Sequence, residues 1–256
     1  MRFASLGSGS AGNCLVVEQA NTRLLLDCGF SPNETVKRLQ KLDLMPNQIS
    51  GILVTHEHDD HAKGAFKFAA KFNVPVWLSH GSLKMCQRYI PESAPIQINI
   101  IDSHTVFSIE NIQVNPYPVP HDAREPTQFT FSDGNYKLGV LTDAGASTAH
   151  IECMLSACDA LVLECNHDLH MLENGPYAWS LKKRVGSKLG HLDNASTAAL
   201  LAKLDKSKLK HVIAAHLSAK NNTPGLAKQA LSTVLGCTQD WIGIAQQQDG
   251  FDWRGF

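Results

Sequence analysis

Ile52-Leu53-Val54-Thr55 is a short apolar run that empties directly into His56-Glu57-His58-Asp59-Asp60-His61, and this junction constrains the fold more than any other stretch. Side chains two apart in an extended segment point the same way, so His56 and His58 can hold one metal ion together. Asp60 and His61 fall where the chain turns into a helix expected to run through Phe72, offset enough to serve a second ion. Imidazole nitrogen and carboxylate oxygen suit Zn²⁺, with Mn²⁺ or Fe²⁺ where carboxylates are numerous. A strand end crowded with polar groups has little purely structural use, because each group would need its own hydrogen-bond partner. Further ligands must then come from other strand ends.

Three later apolar runs end in residues of the right kind: His121 in Val119-Pro120-His121-Asp122, Asp143 in Leu141-Thr142-Asp143-Ala144, and His216 in Ala214-Ala215-His216-Leu217. Taken singly, each reads equally well as a turn or capping residue. The chain has 12 histidines, so isolated ones such as His80, His104, His150 and His211 read as surface or core residues.

Short β-rich runs alternate with helical segments throughout. Strands are expected at Arg2–Leu6, Leu15–Glu18, Arg23–Asp27, Ile52–Thr55, Val76–Leu78, Ile96–Ile101, Thr105–Ile109, Ile112–Tyr117, Gln128–Phe131, Lys137–Thr142, Ala160–Glu164, His211–Ala214 and Trp241–Ala245. Helices are expected at Pro32–Leu44, with Ser31 as N-cap, and at Ser82–Tyr89, Ala149–Ser156, Trp179–Ser187, Ser196–Leu204 and Leu226–Leu235. So many strands, with helices between groups of them, predict an α/β fold of two sheets packed face to face with helices outside. No linker interrupts the pattern, which predicts one domain over 1–256.

A formal net charge of −1 excludes global attraction to a polyanion, so a nucleic-acid substrate would need a local basic patch or the metals themselves. Basic residues gather in Lys182-Lys183-Arg184 with Lys188, ahead of His191, and in Lys203, Lys206, Lys208 and Lys210. The 7 cysteines form no Cys-x-x-Cys pair and read as reduced thiols. No apolar run reaches the ~18 residues of a membrane span, and the N-terminus has no signal-peptide pattern. A cytoplasmic protein without a membrane partner is expected.

With its motifs in this order, the sequence resembles the metallo-β-lactamase superfamily along almost its whole length. That resemblance implies an αββα four-layer sandwich with its site at one sheet edge, and two divalent ions, Zn²⁺ foremost and Mn²⁺ next. It implies His56, His58 and His121 as ligands of the first ion, Asp60, His61 and His216 of the second, and Asp143 as the bridge. Asp27 would orient the histidine loop through hydrogen bonds. True β-lactamases carry other groups where this chain has His61 and Asp143, and diiron flavoproteins a glutamate at His58. The phosphodiesterase and thioester-hydrolase branches remain.

Leu163-Glu164-Cys165-Asn166 and Gly190-His191-Leu192-Asp193-Asn194 resemble two segments of RNase Z, a likeness that implies His191 as the acid protonating the leaving oxygen and Glu164 as its partner. A phosphodiester needs such an acid more than a thioester does, because an alkoxide leaves poorly. Gly7-Ser8-Gly9-Ser10-Ala11-Gly12-Asn13-Cys14, with Asn166-His167-Asp168, resembles the YycJ (WalJ, VicX) family, regarded as DNA exonucleases acting from the 5′ end. The glycine-serine turn either offers Ser8, Ser10 and Asn13 to a phosphate or is simply a tight hairpin. His167 joins them as an expected substrate contact. The implied function is a metal-dependent phosphodiesterase acting on DNA, in which Asp60 orients the attacking hydroxide. The alternatives are a glyoxalase II-like thioester hydrolase and a non-catalytic metal-binding module.

Overall fold

The computed structural model describes residues 1–92 and 95–256, and within them two seven-stranded sheets stack face to face. The first sheet takes β1 (Arg2–Gly7), β2 (Cys14–Gln19), β3 (Thr22–Leu26), β4 (Gly51–Leu53), β5 (Val76–Ser79) and β6 (Ile98–Ile101). The second takes β7 (Phe107–Ile109), β8 (Ile112–Pro118), β9 (Thr127–Ser132), β10 (Lys137–Leu141), β11 (Ala160–Glu164), β12 (His211–Ala215) and β13 (Ile242–Ile244). The final strand, β14 (Phe251–Gly255), returns to pair with β1, giving the orders β14-β1-β2-β3-β4-β5-β6 and β13-β12-β11-β10-β9-β8-β7.

Each central strand buries both faces, which is why it reads as a continuous apolar run. In β3, Leu24 and Leu26 point between the sheets, where they meet Phe129, Phe131 and Val140. Leu25 points the other way, onto a layer built by helices Pro32–Gln40, Ala65–Phe72 and His80–Cys86. In β12, Ile213 and Ala215 face the first sheet, while Val212 and Ala214 pack under helices Ala149–Leu155, Asn194–Lys203 and Pro224–Leu235. The order is helix, sheet, sheet, helix, the four-layer sandwich expected.

The strand directions place the site. From β3 to β6 the first sheet is parallel, and from β10 to β13 so is the second. Strand β8 runs in the sense of β10, since β9 is antiparallel to both. By the same reasoning β1 runs in the sense of β3. The segments after β1, β3, β4, β8, β10, β11 and β12 therefore all emerge at one edge, the crevice where parallel strands present their carboxyl ends.

Several boundaries differ from the sequence expectation. The helix from Pro32 stops at Gln40, because Asp43 turns left-handed (φ 57) and Leu44 N–H bonds back to Leu39, burying Leu42 and Leu44 in a turn. Ser31 caps this helix as expected, accepting from the Glu34 N–H. The helix toward Phe72 is broken after Ala62, where Gly64 N–H donates to Cys28 O rather than within the helix. Strand β14 and the short helix Leu169–Asn174 had no expectation, the first being half-exposed and the second only a turn and a half long.

Candidate metal centre

The histidine loop is fixed from beneath by Asp27, which sits at the end of β3 in a left-handed conformation (φ 62). Its Oδ1 accepts from the Thr55 N–H at 2.8 Å, and its Oδ2 from His61 Nδ1 at 2.7 Å. The Thr55 hydroxyl also donates to Asp27, so it accepts from His56 Nδ1 at 2.9 Å. A carboxylate can only accept, so this chain of bonds sets the proton on the Nδ1 of both histidines and leaves each Nε2 for the cleft. Gly29 lets the loop approach: a Cβ there would stand 1.9 Å from the Asp60 carbonyl oxygen.

His121 Nδ1 donates to Gly190 O at 3.0 Å, leaving its Nε2 free in the same way. His58 Nδ1 lies 3.0 Å from His56 Nε2 and 3.3 Å from His121 Nε2. Two lone pairs and a third ring nitrogen thus meet at one point, and a single shared proton cannot satisfy them. A cation can. Burial pushes both His56 and His121 below the ordinary histidine range, which keeps them neutral as ligation requires.

Beside this triplet stands a more acidic one. Asp60 Oδ2 lies 3.4 Å from both His61 Nε2 and His216 Nε2. Asp143 lies between the groups, its Oδ2 3.1 Å from His61 Nε2 and its Oδ1 4.0 Å from His121 Nε2 and 3.5 Å from His216 Nδ1. Oδ2 is fully buried yet makes no hydrogen bond, an orphan that a cation would satisfy. Burial alone would raise Asp60 and Asp143, but His61 and His216 hold both well below the usual carboxylate range. His216, pushed down by burial, is lifted to about 10 by Asp143, Asp60 and Glu164. These shifts mark a place where positive charge is favoured, the place a divalent ion would take. His56 with His58 and His121, Asp60 with His61 and His216, and Asp143 with His56 and His61 each form a group whose donor atoms lie within 4.8 Å of one another.

Glu164, completely buried at the end of β11, accepts from the Ala144 and Leu192 N–H groups, each at 3.0 Å, and from His191 Nδ1 at 2.7 Å. Against the effect of burial, His191 holds Glu164 at about 2. His191 is itself raised by that carboxylate, after burial has pushed it down. Its side chain is 21% exposed and lines a cleft of about 340 Å³ together with His58, Asp60, Asp143 and His216.

The residues expected to meet substrate fare unequally. Ser10 lines the cleft. Ser8 lies beneath it, donating to Asn13 Oδ1 at 3.1 Å and accepting from the His216 N–H at 2.9 Å, and so braces the loop against β12. Asn13 is also buried, its Nδ2 3.2 Å from Asp60 Oδ2 and its N–H donating to Asp60 O at 2.7 Å. His167 is buried and absent from the cleft lining, where its neighbour Asn166 stands instead. Ser8 and Asn13 are thus placed to brace the site from beneath, while His167 is buried beside Asn166. The hairpin reading of the turn fits its bonding.

The sequence profile of the metallo-beta-lactamase superfamily matches residues 7–216. The chain is 37% identical over 235 residues to exodeoxyribonuclease YycJ of Bacillus anthracis, spanning 92% of this chain and 89% of that one. The chain belongs to the metallo-beta-lactamase superfamily. Exodeoxyribonuclease WalJ of Streptococcus pneumoniae is 28% identical over 245 residues, 95% of this chain and 91% of its own. Among solved structures, the metallo-beta-lactamase fold protein YhfI from Bacillus subtilis superposes with a TM-score of 0.76 at 15% identity, covering 99% of both chains, a likeness of fold alone.

Within this superfamily frame, the cleft of the present chain has a rim that its motifs did not announce. Arg88 stands on it with its guanidinium 3.2 Å from Asp59, and Arg184 with Nε donating to Asp122 Oδ2 at 2.5 Å. Tyr177, Leu181 and Val185 add an apolar wall. Arg184 belongs to a basic cluster visible in the sequence, whereas Arg88, in a short 3₁₀ turn, carried no signal. The hydrogen bonds of Asp27 predict a specific cost. Asn tolerates the left-handed backbone but supplies one acceptor where Asp27 uses two, so Asp27→Asn should weaken divalent-metal affinity about 10- to 100-fold with the fold retained. Chelator competition measures this, and an unchanged affinity would remove Asp27 from its orienting role.

Proposed function

We propose that this chain is a metal-dependent phosphodiesterase, a nuclease that degrades DNA from the 5′ end as a cytoplasmic enzyme built as one domain over 1–256. The carrying observation is that His191, held at 2.7 Å by the buried Glu164, lines the same cleft as His58, Asp60, Asp143 and His216. A thioester releases a thiolate that needs no proton, so a buried carboxylate that orients a cleft histidine at 2.7 Å, while also meeting His216 Nδ1 at 3.2 Å, favours a leaving group that does. The similarity to proteins named exodeoxyribonucleases supports the same reading. The cytoplasm is the compartment in which seven unpaired cysteines stay reduced.

His56, His58 and His121 would hold one ion, Asp60, His61 and His216 a second, with Asp143 shared, and the mixed nitrogen and oxygen donor set suits Zn²⁺ foremost and Mn²⁺ next. Divalent ions bound there supply Lewis acidity, making water acidic enough to attack near neutral pH and offsetting charge on phosphate oxygens. Asp60, accepting through Oδ2, orients the attacking oxygen. His191 keeps Nδ1–H on Glu164, and its Nε2 delivers a proton to the departing oxygen as negative charge develops there.

End-labelled single- and double-stranded DNA and RNA, incubated with the protein in Zn²⁺ or Mn²⁺ and with a thioester substrate in parallel, test the reading. Stepwise loss of DNA from the 5′ end is the expected result. Turnover of the thioester alone would overturn it.

A further inference from the structure

Lys63, Lys67 and Lys71 recur every four residues, all exposed, with Gly64, Ala65, Phe66, Phe68 and Ala69 buried between them. Lys63 and Gly64 keep right-handed helical dihedrals although the hydrogen-bond ladder is interrupted at Gly64, and the three lysines stand exposed on either side of that interruption. Lys67 and Lys71, within one helix, are about 6 Å apart along its axis, a spacing comparable to the phosphate repeat of an extended polynucleotide strand. No acidic residue follows Asp60 before Phe72.

Most helices carry lysines on a solvated face with no further meaning. This stripe differs in where it leads. Lys63 and Lys67 form one wall of a groove of about 600 Å³ that faces Ser31 and Glu34. Ser10, Asp59 and Asp60 line both this groove and the metal cleft, so the two are continuous. Glu34, the acid on the opposite wall, is paired with Arg38 Nε at 2.7 Å, which offsets its repulsion of an anion. Lys71, farther along, donates to Asn33 Oδ1 at 3.3 Å, while Lys63 and Lys67 form no ion pair among the described residues.

We propose that Lys63, Lys67 and Lys71 are a track for the phosphate backbone of a single polynucleotide strand, carrying the part of the substrate that lies outside the metal cleft. The inference rests on the nuclease reading above and adds where the strand runs. It also reconciles a polyanionic substrate with a chain whose net charge is −1, since the attraction is local.

The test compares two triple variants of equal charge change: Lys63→Gln/Lys67→Gln/Lys71→Gln, and Lys203→Gln/Lys206→Gln/Lys208→Gln at the end of a distant helix. Binding of a fluorescent, phosphorothioate-linked single-stranded DNA is followed by anisotropy across a salt series, with thermal melting to confirm folding. Each phosphate contact adds about 0.7 to the slope of log affinity against log salt for single strands, so the first variant should lose about 2 in slope and roughly tenfold or more in affinity at low salt. The second should match wild type. Equal losses in both variants, or none in the first, would overturn the track while leaving the nuclease reading standing. Wild-type protein that binds no DNA would remove both.

Discussion

Asp143→Asn should empty the metal centre and abolish hydrolysis while leaving a folded protein. Asn is the informative substitution because Asp143 adopts a left-handed backbone (φ 53), which asparagine favours more than alanine does, and because it keeps the side chain's shape. The charge is lost. In the native site that charge is the meeting point of the whole cluster, with His61, His216, His191 and His121 all within 4.0 Å of its two oxygens. A neutral amide would turn an N–H group toward these rings, and its oxygen would be a weaker donor to a cation. Metal content by mass spectrometry should fall well below wild type. Turnover of a phosphodiester should drop by at least about a hundredfold to a thousandfold, the scale seen when a group that stabilises developing charge is lost. Full metal occupancy with wild-type turnover would sink the bridging assignment, and circular dichroism guards against mistaking unfolding for either outcome.

That this centre could be anticipated from the amino-acid order follows from how it is built. His56, His58, Asp60 and His61 are neighbours in sequence, and an apolar strand delivers them together, so local geometry alone gathers four of the seven candidate ligands. The others lie at the ends of separate strands. Nothing local distinguishes His121, Asp143 or His216 from turn residues, and what joins them is strand direction, a property of the sheet. Asp143 and His216, like Asp27, are left-handed non-glycine residues, a strain that local propensity argues against and that the packed strand ends maintain.

The sandwich was legible for a related reason. Runs such as Leu24-Leu25-Leu26 and Val212-Ile213-Ala214 are apolar on both faces, which only a strand covered above and below can be. Less legible were features set by one distant contact. The break at Gly64 depends on Cys28 O, and the end of the first helix on the return of Leu44 to Leu39. The glycine-serine turn shows the limit most clearly. Its composition suits phosphate binding and hairpin formation equally, and only the folded chain shows Ser8 and Asn13 bonded to His216, Asp60 and each other while Ser10 lines the cleft.

The acid pair permits a prediction that separates proton donation from metal binding. His191 lies 5.3 Å, ring centre to ring centre, from His121 and from His216, near enough to line the same cleft, yet its Nδ1 is committed to Glu164. His191→Ala should therefore keep its metal and lose about 10²- to 10⁴-fold in turnover of a phosphodiester whose leaving group is an alkoxide, the usual contribution of a positioned acid. With an activated diester such as bis(p-nitrophenyl) phosphate, whose phenolate departs without a proton, the loss should nearly vanish. Glu164→Gln should reproduce the same dependence on the leaving group, more weakly and with some loss of metal affinity, because Glu164 Oε1 orients His191 at 2.7 Å and also meets His216 Nδ1 at 3.2 Å. An equal loss on both substrates would instead make His191 a structural or metal-supporting residue. In that case the proton would have to come from elsewhere in the cleft, and the argument that favours a phosphodiester over a thioester would fall with it.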